Sequence, residues 1–117
     1  MIHVASPVKE EGTDDELTKP AVEGTKAILE ACVEYGVKKC VITSSMLTVY
    51  SSDNIKDLYT EEDYAPADGK THSPYTKSKI LAELYGRNFM KSLPSDSNLE
   101  IMTIHPGLIT GRYEVLH

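Results

Sequence analysis

Tyr75 and Lys79 stand four residues apart in the run Tyr75-Thr76-Lys77-Ser78-Lys79, and the pair Ser44-Ser45 lies about thirty residues upstream. On a helix that spacing puts phenol and ammonium on one face, one turn apart. A tyrosine hydroxyl is a weak acid, with an unperturbed pKa of about 10. A neighbouring cation favours the phenolate, and a phenol so placed can give or take a proton near neutral pH. A serine at the end of a nearby strand could hold a substrate oxygen. This is equipment for interconverting a carbonyl and an alcohol by hydride transfer, with a nicotinamide alongside. Tyr-x-x-x-Lys by itself is common on amphipathic helices, so its weight comes from the segments around it.

Those segments alternate. Residues 2–5 form a short apolar run ending at Ser6-Pro7 and read as a buried strand. Residues 8–17 are polar and acidic and read as a loop. A helix is expected over 18–35, with Thr18 as cap, Pro20 in the first turn and Gly36 at the end. Its apolar positions are Val22, Thr25, Ile28, Leu29, Cys32 and Val33. Val37–Thr43 is a β-branched run whose consecutive apolar residues suggest a strand covered on both faces. Residues 51–72 read as a long loop, a length that usually marks function. A second helix runs from Ser73-Pro74 to about Leu93, with Ile80, Leu81, Leu84, Tyr85, Phe89 and Met90 toward the core. Leu99–Ile104 is a third strand, followed by His105-Pro106-Gly107.

The order β–α–β–loop–α–β predicts a parallel sheet with flanking helices. In such sheets ligands bind beyond the carboxyl ends of the strands. Ala5-Ser6, Thr43-Ser45 and His105-Gly107 are those ends, and Tyr75 starts a helix near the same rim.

Composition narrows the class. The chain has 117 residues, enough for one domain, with 40% hydrophobic and 26% charged residues, as in a soluble globular protein. A net charge of −6 and the lack of a basic cluster argue against a nucleic-acid surface. No apolar run reaches the roughly 20 residues that span a bilayer, and the start lacks the marks of a signal peptide. Cys32 and Cys40 read as reduced, buried thiols, which points to the cytosol. His3, His72, His105 and His117 are too scattered to suggest a metal site. His3 and His105 read as satisfied structural histidines, and Glu61-Glu62-Asp63-Tyr64 as a solvated run.

With these segments in order, the chain resembles the extended short-chain dehydrogenase/reductases, within the NAD-dependent epimerase/dehydratase superfamily. It is most similar to the branch of dihydroflavonol reductases and cinnamoyl-CoA reductases. The stretches that carry the likeness are His3-Val4-Ala5-Ser6-Pro7, Lys19-Pro20-Ala21-Val22-Glu23-Gly24-Thr25 and Val41-Ile42-Thr43-Ser44-Ser45. To these are added Tyr75 to Lys79 with Ala82-Glu83, and His105-Pro106-Gly107-Leu108-Ile109-Thr110-Gly111. The resemblance implies a Rossmann-like sheet, NADP(H) with NAD as second choice, and a small carbonyl or alcohol substrate. Tyr75 would be the acid/base. Lys79 would lower its pKa and bind the nicotinamide ribose, and Ser45 would hydrogen-bond the substrate oxygen. Ala5, Ser6, Ser44, Pro106, Gly107, Leu108 and Ile109 would line the cofactor path. The helices over 18–35 and 73–91 are the pair through which many relatives dimerise. Here their expected outward residues, Lys26, Glu30, Glu34, Glu83, Arg87 and Lys91, are equally compatible with a monomer.

The likeness begins at the family's fourth strand. The Gly-rich turn that would hold the cofactor pyrophosphate at a helix N-terminus is absent, as is most of the substrate-binding part. Residues 1–117 therefore read as the second half of a cofactor-binding domain, with 51–72 toward the substrate, and are expected to show little or no activity alone. Three enzyme and non-enzyme readings stand: a piece of a reductase, a sugar-nucleotide epimerase or dehydratase, and a truncated remnant with a binding or assembly role.

Overall fold

A computed structural model describes residues 1–9, 12–50, 52, 55–69 and 72–111. Parts of the expected 8–17 and 51–72 loops, and the final residues 112–117 including His117, lie outside the described residues.

Strands β1 (Ile2–His3), β2 (Lys39–Thr43) and β3 (Glu100–Ile104) form one parallel sheet in that order. Ile2 lies opposite Val41, and Lys39 opposite Glu100. Helix α1 (Asp14–Glu34) carries the chain from β1 to β2 and α2 (Pro74–Ser92) from β2 to β3. Strand order advances in one direction across the sheet. Right-handed crossovers then place both helices on the same face.

That topology corrects the expectation of a sheet covered on both sides. Toward the helices, Leu29 and Cys32 of α1 meet Cys40 and Ile42 of β2 and Leu99, with Ile28, Val37, Tyr85, Phe89, Leu93 and Ile101 packed around them. Away from the helices, Ile2, Val4, Met102 and Ile104 are 71%, 65%, 46% and 48% exposed. Gly86 of α2 permits close packing on the covered face, since a Cβ there would stand 3.4 Å from Ile42 Cδ1. Cys32 and Cys40 are free and buried. Burial, with Cys32 alongside, pushes the Cys40 thiol up to about 11.

Helix α1 starts four residues earlier than expected. Thr13, not Thr18, is the cap: the Glu16 amide donates to Thr13 Oγ1 at 3.3 Å and the Thr13 amide donates to Glu16 Oε2 at 3.0 Å. This is a capping box, and Asp14, Asp15 and Glu16 place negative charge in the first turn, where the helix dipole favours it. Pro20 therefore sits inside the helix, where it forfeits a backbone bond. The extra turn offsets this by burying Leu17 completely and letting Asp14 accept from Lys77 Nζ of α2 at 2.6 Å. Leu17 and Ala21 join the buried set, while Val33, Leu84 and Met90, expected inside, are 49%, 44% and 45% exposed. Helix α2 follows its expected limits: Ser73 caps it by accepting from the Thr76 amide at 3.1 Å, and Pro74 takes the first position. Strands β1 and β2 are shorter than expected, beginning or ending within two residues of the apolar runs. Among the described residues, no helix is long and apolar enough to cross a membrane.

Candidate active site

Strand β2 delivers Ser44 and Ser45 to the carboxyl edge of the sheet. A short 3₁₀ turn over Met46–Thr48 follows, capped by Ser45 in extended conformation (φ −157°, ψ 151°). Backbone bonds tie this turn to the end of β3: the Ser44 amide donates to the Ile104 carbonyl at 2.9 Å and the Met46 amide to the Pro106 carbonyl at 3.0 Å. The rim expected from the sequence is thereby assembled from β2, β3 and the start of α2.

The two serines differ in where their protons go. Ser44 donates its proton to Glu83 Oε2. The Ser45 hydroxyl instead accepts, from the Leu47 amide at 3.3 Å. Among the described residues nothing claims the Ser45 proton, so it remains free to donate outward. Both serines are buried to within a few per cent of full exclusion, at 6% and 7% exposure.

On α2, Lys79 is buried and its ammonium lies 5.8 Å from the centre of the Tyr75 ring, as the one-turn spacing dictates. Lys79 Nζ donates to the Thr43 carbonyl at 3.2 Å, which fixes it against the end of β2. Burial pulls its pKa below the ordinary lysine value. Tyr75 is half-buried, and among the described residues its hydroxyl has no hydrogen-bond partner.

His3 is buried beside this group, with Nε2 3.4 Å from Thr25 Oγ1. Burial first, and the Lys79 charge second, lower its pKa, favouring neutral imidazole. Ala5, Ser6, Thr43, Ser44 and Lys79 line a crevice of only about 10 Å³ at the sheet edge. Pro106 is half-buried, and Gly107, Leu108 and Ile109 are exposed along the same edge. A Cβ at Gly107 would come within 3.3 Å of Met46 Sδ, so the glycine lets the two segments close on each other.

These residues fit the nicotinamide-ribose half of a dinucleotide. An ammonium, hydroxyl donors and the bare backbone of Gly107 share one open edge. They do not fit its diphosphate, because no glycine-rich turn before a helix lies among them. Among the described residues, no group of three His, Cys, Asp or Glu could hold a metal ion.

Glu83 is the residue that sequence reasoning misplaced. Expected on the outward face of α2, it is 3% exposed and lies at the centre of the rim. Its carboxylate accepts from Ser44, from Thr48 Oγ1 at 2.6 Å and from Arg87 Nε at 2.9 Å, and His105 Nε2 is 3.0 Å from both oxygens. Arg87, also expected outward, is folded back: its guanidinium carbon lies 3.7 Å from the centre of the Tyr64 ring. The available signal was the step from Lys79 to Glu83, which continues the Tyr75–Lys79 face by another turn. A groove of about 360 Å³ opens on this same network: Thr48, Glu83 and Arg87 line it together with Tyr64, Ala65 and Ala67 and the α2 residues Leu84, Asn88 and Lys91.

The sequence model of the 3-beta hydroxysteroid dehydrogenase/isomerase family matches residues 1–114. Among curated relatives, an uncharacterised oxidoreductase of Saccharomyces cerevisiae is 35% identical over 95% of this chain and 36% of its own length. The dihydroflavonol 4-reductase of Zea mays is 32% identical over 97% of this chain and 33% of its own. Among solved structures, the yeast methylglyoxal/isovaleraldehyde reductase Gre2, complexed with NADPH, superposes with a TM-score of 0.76 and 31% identity. That match covers 91% of this chain and 35% of Gre2. The chain thus spans about a third of the length of the relatives it matches.

Proposed function

Because the chain belongs to the 3-beta hydroxysteroid dehydrogenase/isomerase family, a group of extended short-chain dehydrogenase/reductases, we propose that it carries the proton-transfer centre of an NADP(H)-dependent reductase. The substrate is a small aldehyde or ketone, or in reverse a secondary alcohol. One observation carries this reading: Lys79 is pinned beside Tyr75 on the sheet's carboxyl edge, where Ser45 keeps an uncommitted proton.

When bound, a nicotinamide cofactor supplies the hydride to the carbonyl carbon. The Ser45 hydroxyl donates to the carbonyl oxygen and orients it. As negative charge develops there, the Tyr75 hydroxyl gives up its proton to that oxygen, and an alcohol results. The Lys79 ammonium stabilises the phenolate left behind and is placed to meet the ribose hydroxyls. Ala5, Ser6, Ser44 and Pro106–Ile109 border the cofactor path. The reductases among the relatives favour carbonyl reduction over sugar-nucleotide epimerisation or dehydration. Two free, buried thiols suit a reducing compartment, the cytosol.

A second reading has its own support. The bare, largely apolar sheet face suits a remnant that binds or assembles without catalysis. Calorimetry with NADPH separates the two. Binding that Lys79→Ala weakens at least tenfold and Tyr75→Phe leaves nearly unchanged, with turnover of a small ketone lost in Tyr75→Phe, supports the reductase. No binding by the folded chain sinks catalysis for these 117 residues and supports the remnant.

A further inference from the structure

We propose that Glu83 is a positioning residue that sets the Ser45 hydroxyl, acting through Thr48 and Ser44. The inference rests on the reductase reading for its catalytic consequence, but its geometry stands without it.

The carboxylate divides its work between its two oxygens. Oε2 receives the hydroxyls of Ser44 and Thr48, which flank the Ser45 turn. Oε1 receives Arg87, and the His105 ring reaches both. Thr48 Oγ1 carries one proton, shared between Glu83 Oε2 at 2.6 Å and the Ser45 carbonyl at 2.8 Å. The backbone on both sides of Ser45 is therefore referred to a single buried anion. Two further contacts bring the substrate-side loop to the same point: the Ala65 amide donates to the Thr48 carbonyl at 2.8 Å, and Arg87 stacks on Tyr64. Three segments, namely the end of β2, the 3₁₀ turn and His105 after β3, meet the Glu83 side chain directly, and the 64–65 stretch joins them through Thr48 and Arg87.

The same helix carries Tyr75 and Lys79. Glu83 continues their face one turn further on, so the carboxylate holds the Ser45 turn in register with the helix that bears the acid/base. A buried carboxylate with this many partners is rigid, because losing any one of them leaves charge or hydroxyl unpaired in a poorly solvated place. An ordinary structural ion pair would need only Arg87. The two hydroxyls from the catalytic turn are the surplus that a positioning role explains.

Thr48→Val tests this with least disturbance, since it removes the hydroxyl and keeps the shape and the Arg87 and His105 pairings. Glu83→Gln is the companion, and Glu83→Asp tests reach. Amide NMR of the 117-residue chain should show the Ser45 and Leu47 signals shifted and broadened in Thr48→Val and Glu83→Gln, with those of Leu29 and Cys32 in place. In turnover assays with NADPH and a small ketone, Thr48→Val should lower kcat at least tenfold and change the KM for NADPH less than twofold. Unmoved Ser45 and Leu47 signals in Thr48→Val overturn the proposal whatever the turnover. If Glu83→Gln fails to fold, Thr48→Val alone decides. If the wild-type chain shows no turnover, the reductase reading fails for this chain, and the amide signals still decide the role of Glu83.

Discussion

The two faces of the sheet are built from adjacent residues of the same strands, yet they live in different solvents. Cys40 and Ile42 are 0% and 4% exposed against α1 and α2, while on the opposite side Met102 and Ile104 are nearly half exposed and Ile2 is 71% exposed. Composition alone does not cause the difference: the bare face carries the exposed Lys39–Glu100 ion pair at one end, but Ile2, Val4, Val41, Met102 and Ile104 make the rest of it as apolar as the covered one. Topology does: strand order that advances one way, with right-handed crossovers, spends both helices on one side. Parallel sheets ordinarily have both faces covered. In this chain the bare face must meet water, another chain or further sequence.

The contrast gives a graded set of expectations. Leu29→Ala, at the centre of the covered face, should cost 2–5 kcal/mol by the usual large-to-small scale, read as a drop in urea midpoint. A loss well under that would mean the covered face is loosely packed. Within β2 the comparison is sharper. Cys40→Ser buries a hydroxyl among apolar side chains and should cost about 1–3 kcal/mol, whereas Val41→Ser next door should cost less than half as much. Equal losses would erase the distinction between the faces.

His3 adds a pH term to the covered face. Its folded pKa is held below the ordinary histidine value of 6.5, by burial and then by Lys79. On acidification the unfolded chain takes up the proton first. The stabilisation is therefore complete above pH 6.5 and declines as pH falls from there through the folded pKa. His3→Gln should flatten that part of the stability profile between pH 7.5 and pH 5.5, measured by urea melts. An unchanged slope would show that His3 is as easily protonated folded as unfolded. The smallest stability effect is expected on the bare side. Met102→Lys with Ile104→Lys should shift stability by no more than about 0.5 kcal/mol and reduce self-association in sedimentation. A loss above 2 kcal/mol would show that this face is covered in solution.

Much of this layout was legible in the residues. The β-branched run before Ser44, the helical spacing through Leu29 and Cys32, and Ser73-Pro74 ahead of Tyr75 each state a local preference that tertiary packing leaves in place. The start of α1 was legible too, but in a different signal. Thr13-x-x-Glu16 is a capping box, and Pro20, read as the opening of the helix, hid it. Coverage of the sheet could not be read from β2, because consecutive apolar residues describe a strand fit for burial on both sides, not whether anything arrives to bury it. At the candidate site, Tyr75, Lys79 and the serine pair were visible from spacing. Glu83 was marked only by its place one turn beyond Lys79, and Arg87 by nothing, because a charged pair at i and i+4 on a helix looks the same whether it faces water or folds inward over a hydroxyl turn.

The paired thiols of the core have one more consequence. Cys32 lies in the last turn of α1 and Cys40 sits in β2, both sealed from solvent, and burial raises the Cys40 pKa, which favours its unreactive thiol form. A thiol-specific reagent added to the folded protein will therefore find them only when helix and strand part. The rate of labelling counts those openings, which makes the chain its own clock for the breathing of its single packed layer.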